Sequence, residues 1–142
     1  MNKRACFVLA WPFACLVACT APAVQAADVA KGQRLFVLRC ASCHAVGPSA
    51  RAGFGPQLNA VFGRHAGSTP DFHYSPAMVK SNIVWNEKTL TAFLDSPGGL
   101  VPGTKMRFWG MSDRRQVGDL LAYLRSFQPA GGTAPVAPVS KR

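Results

Sequence analysis

Cys40, Cys43 and His44 stand in the stretch CASCH, two thiols three positions apart with an imidazole directly after the second. Such a cluster serves three chemistries. The thiols can form a redox disulfide, they can supply half of a zinc site, or they can join a haem through thioether bonds while the histidine binds its iron. The surrounding sequence separates these. A redox C-x-x-C sits at a helix start after a strand, in an alternating β/α pattern. Here the motif ends a helical pattern and no parallel-strand pattern follows. A structural zinc site takes four ligands. Adjacent Cys43 and His44 would strain to share one small tetrahedral ion, and beyond His65 and His73 no second C-x-x-C is present. The haem reading meets neither objection. A helical step from Cys40 to Cys43 matches the spacing of two vinyl groups on adjacent corners of a porphyrin, and His44 then falls beneath the iron. C-x-x-C-H is the attachment signature of c-type haem.

A haem iron has a second axial side. Met78, Met106, Met111, His65 and His73 are the candidates to fill it. Met106 lies in LVPGTKMRFWG, a non-helical arm rich in turn residues that can lay a thioether against a flat ring. Met111 stands near the start of a helical pattern and has no such arm. His65 and His73 sit among polar, turn-forming neighbours and read as surface.

The elements that must position these groups are short helices. Asp28 caps a first helix running to about Cys43, with Val29, Gly32, Phe36 and Cys40 at helical spacing. Ser75 to Ser81 allows a short helix. Asn86 caps another over Glu87 to Asp95, and SPGGLVPGTK breaks it. Ser112 or Asp113 opens the last, whose stripe is Val117, Leu120, Leu121, Leu124 and Phe127, with Pro129 as its stop. Between Ala45 and Pro76 the chain is rich in Gly, Pro, Ser and Ala and keeps no period. So long a loop is unusual inside a compact domain unless something other than protein gives it a surface. The fold class is all-α: three main helices plus a short one, with long loops.

The first residues belong to a different element. MNKR is basic, ACFVLAWPFACLVAC is an apolar run short for a membrane span, and TAPAVQA ends in small residues, which is the layout of a secretory leader cleaved after Ala26. Leu16-Val17-Ala18-Cys19 also resembles a lipobox, so lipid anchoring through Cys19 is the alternative mode of export. The domains are then 1–26, a leader; 27–128, the folded domain; and 129–142, a Pro/Ala/Gly-rich flexible tail. Cleavage leaves 116 of the 142 residues and, of five cysteines, only Cys40 and Cys43. In an oxidising compartment those two are bonded to each other or to something else. A domain this small and this rich in loop has a thin core of its own, which again asks for a large apolar group. The full chain carries 16 basic and 6 acidic residues; losing Lys3 and Arg4 leaves a net charge of +8. That favours an anionic partner. An exported chain without a dense Lys/Arg run argues against nucleic acid.

At the level of several ordered motifs the sequence resembles the small class I cytochromes c, the branch that holds mitochondrial cytochrome c and bacterial cytochrome c2. The resemblance runs from about Asp28 to Ser126. It implies one haem c bound covalently through Cys40 and Cys43, with His44 and Met106 of CASCH and PGTKM as iron ligands. GFGPQLNAVFGRHAG is similar to the family's next loop, in which the Pro56 carbonyl orients the His44 ring. The resemblance places Arg64, Tyr74 and Trp85 on the haem propionates, where buried charge needs fixed donors, and Thr104 beside the haem edge. Gly32 and Phe36 match the first helix where it crosses the last, at Leu120, Tyr123 and Leu124. Two positions depart from the pattern. Phe93 stands where many members have tyrosine, and Met78 where mitochondrial members commonly have asparagine. Both changes remove polar partners near the sixth ligand, so an ordered water there is expected to be weakly held or absent.

The expected function is that of an electron carrier rather than an enzyme, exported to the periplasm and monomeric. It would meet acidic-faced redox proteins in small, salt-sensitive contacts, steered by Lys31, Arg39, Lys105 and Arg107. Two alternatives remain: a gas sensor or peroxidase in which Met106 leaves the iron, and a dedicated cytochrome subunit of one periplasmic dehydrogenase.

Overall fold

Asp28 starts the first helix by accepting the Lys31 backbone N–H on its side chain at 3.0 Å, which satisfies one donor that the first turn leaves without a partner. The computed structural model describes residues 26–129. Residues 1–25 of the expected leader, Cys19 among them, and tail residues 130–142 lie outside that range. Five helices follow in order: α1 (Val29–Arg39), α2 (Pro76–Lys80), α3 (Glu87–Asp95), α4 (Pro97–Leu100) and α5 (Arg114–Arg125). Among the described residues there is no strand, only an isolated antiparallel bridge between His65 and Val84. The all-α class is borne out.

Asn86 caps α3 as expected, in a reciprocal capping box with Thr89. Asp113 caps α5 through the N–H groups of Arg115 and Gln116. Three expectations shift. Helix α1 ends at Arg39 rather than near Cys43, but the turn beyond it keeps helical spacing: Cys43 N–H and His44 N–H both donate to the Cys40 carbonyl, at 3.0 and 2.8 Å. The SPGG stretch was expected only to break α3. Instead Ser96 caps a new short helix, α4, with Pro97 in its first turn, where a missing N–H costs nothing. There are therefore two short helices, not one. Helix α5 stops at Arg125, ahead of Pro129, and its last turn closes with Ser126, Phe127 and Gln128 donating to carbonyls three residues back.

Helices α1 and α5 cross at Gly32. A Cβ there would run into the backbone carbonyl of Asp119, so only glycine lets the two backbones approach this closely. One turn on, Phe36 is buried and its ring meets Tyr123 at 5.5 Å between centroids. Val117, Leu120, Leu121 and Leu124 of α5 and Leu90, Phe93 and Leu94 of α3 complete the helical core. The buried Asp119 accepts the Asp28 backbone N–H at 2.7 Å, tying the start of α1 to α5.

Candidate functional site

The turn that ends α1 presents Cys40 half-buried against the core and Cys43 exposed. The two thiols are not joined to each other. Burial pushes the Cys40 thiol up to about 11. His44 follows directly, and the chain from Gly53 to Leu58 folds back to meet it. Gly55 N–H donates to the Cys43 carbonyl at 2.8 Å, and Leu58 N–H to the Ala45 carbonyl at 2.9 Å. The His44 Nδ1–H donates to the Pro56 carbonyl at 2.7 Å. A carbonyl can only accept, so this bond sets the tautomer and leaves Nε2 as a free lone pair. Gly55 forms the floor: a Cβ on it would stand 2.5 Å from the ring's Cε1 and 3.0 Å from Nε2. Burial holds the ring below the ordinary histidine range. The Pro56 hydrogen bond opposes this, and the Arg64 charge adds to it.

Arg64 lies on the same loop, half-buried, and its basicity is lowered chiefly by burial. Its guanidinium donates to the carbonyls of Asn59 and Gln57, at 2.9 and 3.1 Å. Asn59 is itself braced, exchanging hydrogen bonds with the N–H and carbonyl of Gly47, each at 2.8 Å. Arg64 and Trp85 come together through the backbone. Trp85 N–H donates to the Arg64 carbonyl at 2.9 Å, and Gly63 N–H to the Trp85 carbonyl at 2.7 Å. The Trp85 ring is buried and meets Phe93 at 5.1 Å. Tyr74 packs against the core, edge-on to Phe72, with its hydroxyl 2.7 Å from that of the buried Thr69.

Met106 lies on the irregular arm after α4, half-buried against the same core as Cys40 and Tyr74. Thr104 shapes the approach: its N–H donates to the Val101 carbonyl at 3.0 Å, and its hydroxyl accepts the Met106 N–H at 3.3 Å. Met111 and Met78 are buried in the core. His73 is exposed, as expected; His65 is half-buried because its segment pairs with Val84. Sequence reasoning missed Gly55, Gln57, Asn59 and Thr69. Gln57 and Asn59 hold Arg64 through backbone carbonyls, which carry no side-chain signal. Thr69 acts only through its contact with Tyr74.

The comparisons agree with one another. The family model for cytochrome c matches residues 29–128. Cytochrome c2 of Blastochloris viridis is 42% identical over 116 residues, covering 82% of this chain and 90% of that protein. Cytochrome c2 of Rhodomicrobium vannielii is 45% identical over 105 residues, covering 74% and 83%. The solved structure of cytochrome cH from Methylobacterium extorquens superposes with a TM-score of 0.65 at 38% identity, covering 70% of this chain and 98% of that one. The chain belongs to the class I cytochromes c, electron carriers with covalently bound haem c.

Proposed function

We propose that the protein is an exported one-electron carrier whose haem would be bonded to Cys40 and Cys43 and ligated by His44 and Met106. One observation carries the reading: beside two unpaired thiols, His44 lies on a floor without a Cβ, with its Nδ1–H committed to Pro56 and its Nε2 free. The donor set fits the group. Two thiols match two thioether bonds, and an imidazole with a fixed tautomer matches an iron ligand. Bound there, the haem supplies reversible exchange of one electron between ferric and ferrous iron.

The chain's own residues set the terms. The Pro56 carbonyl orients the His44 ring and raises its basicity as a ligand. The soft sulfur of Met106 favours the ferrous state and so raises the potential. Thr104 fixes the arm that brings the sulfur in. Arg64, Tyr74 and Trp85 supply donors for propionates; the first two already hold partners in the protein, so each is braced before it meets a charge. With His44 and Met106 both committed to the iron, no position would be left on it for a substrate, which supports a carrier and not an enzyme. The basic excess supports acidic redox partners and rates that fall with salt. Residues 1–26 are proposed as a cleaved leader, 27–128 as the haem domain and 129–142 as a tail, with the protein in the periplasm as a monomer. Among the described residues no helix is long and apolar enough to cross a membrane. The mass of the mature N-terminus distinguishes cleavage after Ala26 from lipidation of Cys19.

Met106→Ala is the test of ligation. The visible spectrum of the oxidised protein is expected to show thioether-linked haem and a far-red methionine–iron band, and the substitution is expected to abolish that band. An unchanged low-spin sixth bond in Met106→Ala rules out Met106 as the ligand. Carbon monoxide binding to the reduced wild type under mild conditions would replace the carrier with a protein whose methionine is labile.

A further inference from the structure

The arm that carries Met106 also carries an indole with no protein contact to hide it. Trp109 is fully exposed. Single exposed apolar residues are ordinary on protein surfaces; what sets this one apart is how firmly the chain around it is held. On one side, the Phe108 ring packs against the core and under the Arg39 guanidinium, 5.6 Å from its centroid. On the other, Gly110 takes a φ of +97°, and a Cβ there would run into the Asp95 carbonyl. Its own carbonyl accepts from Arg39 at 3.5 Å. Met111 is buried, with its N–H on the Leu94 carbonyl at 2.8 Å. With Phe108 and Met111 turned inward and Gly110 locked, Trp109 has only solvent to face.

We propose that Trp109 is the apolar anchor of a docking face that seats on a redox protein bearing an acidic rim around an apolar pocket. The inference rests on the carrier reading and adds to it the residue on which an acidic redox partner would seat and the apolar pocket that partner must offer. Charge complementarity supports the acidic rim. Lys105 and Arg107 are exposed on the same arm, and exposed Arg39 reaches it from the end of α1. Two acids lie near them, Asp113 at the cap of α5 and Asp95 with its backbone carbonyl against Gly110, and the three exposed cations Lys105, Arg107 and Arg39 outnumber them. Leu38, one residue before Arg39, is also 79% exposed. Tryptophan and arginine are the residues that most often dominate binding at the centre of an interface. A rigid indole on a rigid arm also gives up little entropy on docking. The arm presents one indole rather than an amphipathic helix, and lipid binding scales with the apolar area inserted. That favours a protein pocket over a membrane.

The test uses the haem-loaded mature protein on gold coated with defined monolayers, read by surface plasmon resonance. One surface mixes carboxylate-ended with methyl-ended chains, and the other mixes carboxylate-ended with hydroxyl-ended chains. The wild type is expected to bind the carboxylate/methyl surface about tenfold more tightly. Trp109→Ala should lose that preference yet keep its binding to the carboxylate/hydroxyl surface and its dependence on salt. Arg107→Gln should weaken binding to both surfaces and flatten the salt dependence. A preference that survives in Trp109→Ala, or a wild type with none, overturns the proposal. So does tighter, Trp109-dependent binding to vesicles of equal phosphatidylglycerol and phosphatidylcholine, which would assign the indole to lipid. Because the readout is binding, it stands apart from the carrier reading; voltammetry on the same gold surfaces tests that reading by the presence or absence of a reversible one-electron wave.

Discussion

Two glycines are each required by a close approach, and they differ in what approaches. At Gly32 it is protein: α1 and α5 bring their backbones together with the Asp119 carbonyl in the space a side chain would take. At Gly55 it is the His44 ring, the group proposed to bind the iron. The first region is complete in protein atoms, with a buried stripe on α5, an aromatic contact and a capped start. The second is a run from His44 to Ser75 that contains no helix. Its order comes from scattered backbone bonds and from braces such as Asn59 on Gly47. The lesson is that the fold divides its labour. The crossing is packed protein against protein, and the loop supplies geometry that makes sense around a cofactor.

The largest expected effect breaks the crossing. Gly32→Ala places a methyl group against backbone rather than against a movable side chain, so the helices must separate. Overpacking of a well-packed core costs typically 1–3 kcal/mol, and with a rigid neighbour we expect the upper end, about 3 kcal/mol. Guanidinium unfolding of the haem-loaded protein measures it. A loss below about 1 kcal/mol would mean the crossing has slack and that the comparison is drawn too sharply.

Gly55→Ala sharpens the same comparison from the other side. The new methyl meets an imidazole ring, not a helix, so α1 and α5 should stay docked and the far-ultraviolet circular dichroism should hold. The ring must tilt away from its Pro56 bond. We expect a destabilisation of about 1–2 kcal/mol, together with a changed visible spectrum and a weaker His44–iron bond on acidification. A variant with a normal spectrum and a loss as large as that of Gly32→Ala would show that the loop is part of the helical core after all.

The same division explains what could be read in advance. Helix starts were legible because their caps are local: Asp28 and Asn86 precede their helices by one residue and act on N–H groups three residues on. The Cys40–Cys43–His44 cluster stood out because the chemistry proposed for it is signalled by spacing alone. Gly32 and Phe36 were legible as the crossing only through resemblance to a family. Helix α4 was not seen, because Ser-Pro-Gly-Gly suggests a break until Ser96 and Pro97 are recognised as a cap and a first turn. The loop yielded least. Arg64 was singled out by its charge, but its partners are the carbonyls of Gln57 and Asn59, and any residue has a carbonyl. Asp119 shows the same limit: one acid in an apolar stripe gives no hint that its carboxylate holds the N–H of the residue that caps the facing helix.

The smallest effect tests whether the start of α1 depends on charge or only on shape. The Asp28 carboxyl lies below its ordinary value of 3.8, chiefly because its ionised form accepts the Lys31 backbone N–H, with the Lys31 side chain adding to this and burial opposing it. The folded state therefore releases this proton more readily than the unfolded chain. The stability this confers is fully present above the unfolded value and is lost as pH falls through the lowered folded one. Asn is as good a cap as Asp, so Asp28→Asn keeps the geometry and removes the charge. Its melting temperature should fall slightly below that of the wild type at neutral pH, and the gap should close as the pH drops below about 3.8. Added salt should narrow it too, since the Asp28–Lys31 pair, 3.5 Å apart, is 42% and 52% exposed. No gap at any pH or salt would show that the shape of the cap suffices and that its charge adds nothing. The crossing would then owe its entry entirely to hydrogen bonds, the Asp28 cap and the Asp119 tie, and to packing at Gly32.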